Sequence, residues 1–155
     1  MSDSHQPHLT AYVLGFAISG SRVVLIRKNR PAWQKGRLNG VGGKIEEGED
    51  PLDAMHREFH EETGVTGVGW CAFGTLTGPD WVIYLYAGHL PEGQTPHSMT
   101  DEPVIEVGIK HLGPDVRPSA DSEDRWPTLP NVTWLVHMGL ERIAGGPYYE
   151  VRHTV

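Results

Sequence analysis

Three glutamates, Glu58, Glu61 and Glu62, lie at spacings that bring side chains together on an α-helix. Residues three or four positions apart share a helix face, and like charges at those spacings repel one another. A protein can offset this repulsion by binding a cation. Ligand sets made only of oxygen atoms suit hard divalent ions, and Mg²⁺ commonly takes one or two carboxylates together with waters and substrate phosphates. The spacing therefore predicts a site for Mg²⁺, with Mn²⁺ as a substitute.

A plainer interpretation of the same residues is a solvated helix face. Arg57 lies four residues before Glu61, and most acidic runs on helices are exposed to solvent and form ion pairs at this spacing. Composition alone favours this second interpretation. A longer sequence pattern has to decide between the two.

Signals for a helix flank the glutamates. Asp50 is a good N-cap, Pro51 suits the first helical position, and Gly64 suits the left-handed residue that ends a helix. We therefore predict a helix over residues 51–63. The stripe that should face the core consists of Leu52, Met55 and Phe59.

The segment from Gly43 to Val65 resembles the Nudix box, G-x5-E-x7-R-E-U-x-E-E-x-G-U, in which U is a bulky apolar residue. The first U position is Phe59. The fixed positions are occupied by Gly43, Glu49, Arg57, Glu58, Glu61, Glu62 and Gly64. The resemblance favours the cation site. It implies an α/β (α+β) fold of the Nudix type, an alpha/beta/alpha sandwich around a mixed β-sheet.

The resemblance also implies roles for residues of the box. A backbone carbonyl at its start, that of Gly42 or Gly43, would join the metal ligands. Arg57 would orient Glu61 or Glu49, a task in which guanidinium geometry matters and lysine would not substitute. The carboxylates that hold the metal would be those of Glu58, Glu61 and Glu62.

The general base would be one of these three helix glutamates or Glu102. In several Nudix enzymes an acidic residue from a later loop reaches the metals or the attacking water, and Glu102 is the candidate for that position, with Asp101 second. A solvated acidic loop is the alternative. A basic segment before the box is either solvated or in contact with a polyphosphate; its cations are Lys28, Arg30, Lys35 and Arg37.

A second resemblance, to MutT-like enzymes that clear oxidised purine nucleotides, concerns recognition of the substrate's nucleobase. In some of these enzymes an asparagine before the box and an Asp or Asn at the start of the last helix read the purine edge, with a tryptophan nearby. Asn39, Asn131 and Trp126 match these positions, and we also assign Lys44 to substrate binding. The alternatives are an N-cap role for Asn131 and a turn role for Asn39.

Length and composition agree with a small globular domain. The chain has 155 residues, which suits one domain, and we expect a disordered tail at 1–8 and a single Nudix domain at 9–155. A net charge of −7 opposes a general surface for nucleic-acid polymers. Cys71 is the only cysteine, and no apolar run is long enough to span a membrane. We expect a cytoplasmic protein, monomeric or homodimeric.

Apolar runs and turn signals predict the other elements. A second helix is expected at 132–144, a final edge strand at 148–153, and a surface loop at 111–125. The glycine-rich approach at 38–44 lets the backbone come close to a ligand or adopt a positive φ, but its glycine spacing does not match the dinucleotide-binding fingerprint. The remaining strands are predicted at 9–18, 23–27, 65–76, 81–90 and 104–109.

The function we predict is that of a metal-dependent Nudix pyrophosphohydrolase. Its substrate would be a purine nucleoside triphosphate, oxidised or not, cleaved to the monophosphate and pyrophosphate. Hydrolysis of ADP-ribose or of a dinucleoside polyphosphate is the alternative within the family. A catalytically silent module that binds a nucleotide is the alternative of another class, and the complete box weighs against it.

Overall fold

The computed structural model describes residues 8–116 and 126–153. Two short 3-10 turns, Ala32–Gln34 and Ile109–His111, accompany the regular elements. The helices are α1 (Pro51–Thr63) and α2 (Val132–Ile143). The strands are β1 (Thr10–Ser19), β2 (Arg22–Arg27), β3 (Leu38–Asn39), β4 (Val41–Lys44), β5 (Cys71–Thr77), β6 (Trp81–His89), β7 (Val104–Gly108), β8 (Asp115–Val116), β9 (Trp126–Pro127) and β10 (Tyr149–Arg152).

Eight strands form one mixed sheet around β1. The order along its main path is β10-β5-β6-β1-β2-β3, while β4 also pairs with β1 and β7 with β2. The β1–β6 and β10–β5 pairs are parallel, and the other pairs are antiparallel. Strand β10 lies at the edge, as predicted. Strands β8 and β9 form a separate two-stranded sheet.

Both faces of the central sheet are covered, and β1 shows why. Successive residues of a strand point to opposite faces, yet Val13, Leu14, Phe16 and Ala17 are all buried. Leu14 and Phe16 belong to the core under α2, and Val13 and Ala17 to the core under α1. The two helices therefore lie on opposite faces, which confirms the predicted α/β sandwich around a mixed sheet.

Helix α1 has the predicted bounds. The Asp50 side chain accepts a hydrogen bond from the Leu52 backbone N–H at 2.9 Å, and Gly64 ends the helix with a φ of 76°. The predicted apolar stripe was wrong at one position, since Leu52 is 39% exposed. The buried residues of the helix are Ala54, Met55, Phe59 and Thr63.

The glycine-rich approach, for which no strand was predicted, forms the pair of strands β3 and β4. Strand β4 pairs with β1, so that Gly42 lies opposite Leu14 and Gly43 opposite Val13. A Cβ on Gly42 would collide with the Val13 carbonyl oxygen. Glycine here permits close packing of two backbones, and this contact places the start of the box against the sheet.

Another difference concerns residues 65–70, which were predicted as part of a strand but precede β5 as irregular chain. Gly67 has a φ of 77°, a conformation that interrupts a strand. Residues 1–7 of the predicted tail and residues 117–125 of the predicted surface loop lie outside the described residues. Neither helix of the described ranges has the length and apolar character needed to cross a bilayer.

Candidate functional site

Arg57 lies at the centre of the box and binds the loop that precedes its own helix. Its Nε donates to Glu49 Oε2 at 2.8 Å and its Nη2 donates to Glu49 Oε1 at 2.9 Å. Nη2 also donates to the Lys44 carbonyl oxygen at 3.1 Å. This planar, bidentate geometry is one that only a guanidinium provides. Arg57 thus fastens α1 to the end of β4 and to the loop between them.

The same guanidinium reaches the acidic face of the helix. Its Nη1 donates to Glu58 Oε1 at 2.9 Å and to Glu61 Oε2 at 3.3 Å. The hydrogen bonds from Arg57, followed by the Glu46 backbone N–H, lower the pKa of Glu49 to about 2. The hydrogen bond to Glu49 in turn raises the pKa of Arg57 above its ordinary value. Arg57 therefore stays charged and contacts both residues that it was predicted to orient.

Glu58 is pressed against the first glycine of the box. A Cβ on Gly43 would collide with the Glu58 carboxylate, so a larger residue at this position would displace that side chain. Burial raises the pKa of Glu58, and the charges of Glu61 and Glu62 raise it further, while Arg57 opposes the shift. The strand and the helix thus bring the backbone of Gly43 next to the Glu58 carboxylate.

Glu62 lies further along the helix and is held from outside the box. The Thr100 hydroxyl donates to Glu62 Oε2 at 3.1 Å. Burial raises the pKa of Glu62, and the charges of Glu102 and Glu61 add to the shift. The loop that carries Glu102 therefore lies beside α1.

Glu102 itself is buried, with 4% of its surface exposed. Its Oε1 accepts from Lys28 Nζ at 3.0 Å, and its Oε2 accepts from the Asn29 backbone N–H at 2.6 Å. Arg30 pairs with Asp101 at 2.7 Å on the surface. Two of the four cations in the basic segment thus bind the acidic loop.

The carboxylate oxygens on the acidic face of α1 are of the chemical type that binds divalent cations. Glu58 and Glu62 are carboxylates whose pKa is raised by burial and by neighbouring negative charge, a state that a cation relieves. As the side chains stand, no three His, Cys, Asp or Glu residues within 8–116 and 126–153 are arranged to hold a metal ion. The Arg57 guanidinium donates hydrogen bonds to Glu58 and Glu61 instead. These contacts use one oxygen of each carboxylate, Glu58 Oε1 and Glu61 Oε2.

The segments that carry the predicted base-reading residues meet at the β3 edge. The Leu129 backbone N–H donates to the Leu38 carbonyl oxygen at 3.0 Å, next to Asn39. The Arg27 guanidinium lies over the Trp126 ring, 5.8 Å from its centre. Leu38 belongs to the core under α2, so the pleat directs Asn39 to the other face of the sheet, where α1 lies.

The asparagine side chains differ in what they bind. Asn39 Oδ1 accepts from the Gly40 backbone N–H at 2.8 Å, which agrees with a local role as well as with a site role. Asn131 has helical backbone angles and makes no capping hydrogen bond, so the N-cap interpretation does not account for it. Lys44 is exposed at the end of β4, and its carbonyl binds Arg57.

One contact was missed by the reasoning from sequence, that of Thr100 with Glu62. The Glu102 backbone N–H donates to the Thr100 hydroxyl at 3.1 Å, a local turn typical of Ser and Thr two residues before the donor. That turn signal was present in the Thr100-Asp101-Glu102 sequence. Its pairing with Glu62, 38 residues away, was not.

Comparison with known proteins places the chain in a family. The model of the NUDIX domain matches residues 6–132, which is most of the chain. The chain belongs to the NUDIX domain family. This membership and the hydrolases among its relatives confirm the predicted class of enzyme, a Nudix pyrophosphohydrolase. Nudix hydrolases generally depend on divalent metals and act on small nucleotide substrates.

Two relatives and one solved structure show how far the similarity extends. The oxidized purine nucleoside triphosphate hydrolase of Mus musculus is 42% identical over 114 residues, 67% of this chain and 72% of that protein. The RNA pyrophosphohydrolase of Rhizobium meliloti is 48% identical over 48 residues, 31% of this chain and 26% of that protein. A NUDIX hydrolase from Nitrosomonas europaea shares the fold with a TM-score of 0.70 at 18% identity, over 96% of this chain and 81% of that one.

Proposed function

We propose that this Nudix protein hydrolyses purine nucleoside triphosphates to the monophosphate and pyrophosphate, with Mg²⁺ as the metal and Mn²⁺ as a substitute. The observation that carries the proposal is the acidic face of α1, where Glu58 and Glu62 are half-buried with a raised pKa. A nearby divalent cation stabilises the ionised form of such carboxylates most strongly. The divalent metal supplies charge neutralisation for the phosphates and activates water.

The metal would be held by Glu58, Glu61 and Glu62, with the carbonyl of Gly43 as a further oxygen ligand. Arg57 positions the set through its bonds to Glu49, Glu58 and Glu61, and keeps the helix next to β4.

Glu61 is the candidate that we assign as general base. Its side chain is 53% exposed and its Oε2 accepts from Arg57 at 3.3 Å, so water can approach the carboxylate. Both oxygens of Glu102 already accept hydrogen bonds from Lys28 and Asn29. We therefore assign Glu102 to holding its loop beside Glu62, and keep it as the second candidate for the base.

The substrate assignment has separate support. The Mus musculus relative is named for oxidized purine nucleoside triphosphates, and the similarity extends over 72% of its length. Similarity to the RNA pyrophosphohydrolase covers 31% of this chain, and the net charge of −7 does not favour a polyanionic polymer. Asn39, Asn131, Trp126 and Lys44 are the residues that we assign to the nucleotide.

The deciding experiment incubates the purified protein and Mg²⁺ with a panel of substrates. The panel holds ordinary and oxidised purine triphosphates, pyrimidine triphosphates, ADP-ribose, a dinucleoside polyphosphate and a triphosphorylated RNA. We expect the purine triphosphates to give the highest kcat/KM and to yield pyrophosphate. Orthophosphate as the only phosphate product, or full activity in excess EDTA, would overturn the proposal. A preference for RNA or ADP-ribose would overturn the substrate assignment and identify that compound as the substrate.

A further inference from the structure

The segment 97–102 is joined to the last turn of α1. The Met99 backbone N–H donates to the Glu62 carbonyl oxygen at 3.3 Å, and the His97 backbone N–H donates to the Thr63 carbonyl oxygen at 2.9 Å. Carbonyl groups in the last turn of a helix have no partner within the helix. The segment therefore pairs two such groups and lies alongside the end of α1.

Within this segment, one hydroxyl connects two carboxylate residues. Thr100 Oγ1 accepts from the Glu102 backbone N–H at 3.1 Å and lies 3.1 Å from Glu62 Oε2. A hydroxyl has one proton to donate, and an ionised carboxylate can only accept. The Thr100 proton is therefore directed at Glu62 Oε2, and the backbone N–H of Glu102 sets the orientation of the hydroxyl.

The far side of the segment is anchored to the chain after β2. The Glu102 carboxylate accepts from Lys28 Nζ at 3.0 Å and from the Asn29 backbone N–H at 2.6 Å, and this ion pair is partly buried. The Arg27 backbone N–H donates to the Pro103 carbonyl oxygen at 2.9 Å. The segment that carries Thr100 is thus held by hydrogen bonds on both sides, to the end of α1 and to the chain after β2.

We propose that Thr100 is a positioning residue for Glu62, which holds Oε2 in place so that Oε1 faces the divalent cation. The inference rests on the proposed function, because it takes Glu62 as a metal ligand. Partners that bind and orient a ligating carboxylate influence metal affinity or activity by about 10- to 100-fold. The contact comes from a loop outside the box and contributes only through Glu62.

The test compares Thr100→Val, which keeps the shape and removes the hydroxyl, with Thr100→Ser, which keeps the hydroxyl. Thr66→Val is the matched control, since Thr66 lies on the exposed chain after α1 and joins Gln94 through its backbone. Mn²⁺ binding is measured from the EPR signal of the free ion. The Mg²⁺ concentration for half-maximal hydrolysis and the unfolding temperature without metal are measured in parallel.

We expect Thr100→Val to bind Mn²⁺ about 10-fold more weakly and to need correspondingly more Mg²⁺, with Thr100→Ser and Thr66→Val close to wild type. A lower unfolding temperature with unchanged metal affinity in Thr100→Val would overturn the inference, and so would equal weakening in Thr100→Ser. Wild-type protein that binds no Mn²⁺ would overturn the proposed metal site itself. That failure is seen before any variant is compared.

Discussion

The guanidinium of Arg57 binds the carboxylate of Glu49 through two parallel hydrogen bonds, of 2.8 Å and 2.9 Å. Glu49 belongs to the loop before α1 and Arg57 to the second turn of the helix, so the pair closes that loop against the helix. The remaining donor of Arg57 faces Glu58 and Glu61. The position of the acidic face thus depends on one planar group.

The first prediction replaces that planar group by a single ammonium. Arg57→Lys keeps the charge but cannot bind both oxygens of Glu49 and also contact Glu58. We expect kcat/KM to fall by about 10- to 100-fold, since a hydrogen bond between charged groups contributes about 1.5–3 kcal/mol. Arg142→Lys is the control, because Arg142 binds backbone carbonyls of Ala72 and Gly146 instead. Equal losses in both variants would contradict the assignment.

The second prediction concerns pH. The pKa of Glu49 is lowered to about 2 in the folded protein by Arg57, from an ordinary value of 4.5. A lowered folded pKa stabilises the protein above pH 4.5, and this contribution is lost as the pH falls through 4.5 towards 2. The difference in unfolding free energy between wild type and Glu49→Gln should therefore be largest near neutral pH and shrink across that window. Denaturant unfolding at several pH values measures it, and a constant difference would contradict it.

The helix of the box could be predicted from sequence because its signals are local. Asp50, Pro51 and Gly64 mark its ends without reference to the rest of the chain. Strands β3 and β4 could not, because β3 has only two residues, the two glycines of β4 hide the strand pattern, and the pairing with β2 and β1 is made by residues distant in sequence. The same limit applies to Thr100, whose contact with Glu62 exists only after the sheet has formed.

The third prediction separates two neighbouring glycines. A Cβ on Gly43 meets the end of the flexible Glu58 side chain, whereas a Cβ on Gly42 meets the Val13 backbone carbonyl. Gly43→Ala should therefore displace the Glu58 carboxylate, so that metal affinity and kcat fall while the unfolding temperature changes little. Gly42→Ala should lower the unfolding temperature instead. Thermal unfolding together with Mn²⁺ titration distinguishes the two, and the opposite pattern would refute the packing argument.

The fourth prediction tests the charge of Glu62. Burial disfavours its ionised form, so Glu62→Gln should be as stable as wild type or more stable without metal, since the amide oxygen can still accept from Thr100. Turnover should nearly vanish because the charge that attracts the metal is lost. Saturating Mg²⁺ should raise the unfolding temperature of wild type and leave that of Glu62→Gln unchanged. Equal metal stabilisation of both proteins would remove Glu62 from the ligand set.

The last prediction concerns the selection of the substrate's nucleobase. Asn131 is half-buried and its side chain makes no capping hydrogen bond, whereas Asn39 Oδ1 already accepts from Gly40. An amide that pairs with a purine edge contributes about 1–3 kcal/mol of discrimination, by analogy with amide contacts to adenine in DNA.

Asn131→Ala should therefore reduce the preference for purine over pyrimidine triphosphates by about 5- to 150-fold in the ratio of kcat/KM, which corresponds to that energy. Asn39→Ala should act in the same direction and retain activity on a poor substrate. Gln94→Ala removes an amide that binds Thr66, away from the β3 edge, and is the control. If kcat/KM of the asparagine variants falls equally for all substrates, or if the variants keep the wild-type ranking of substrates, both amides have structural roles. The nucleobase is then recognised by other residues.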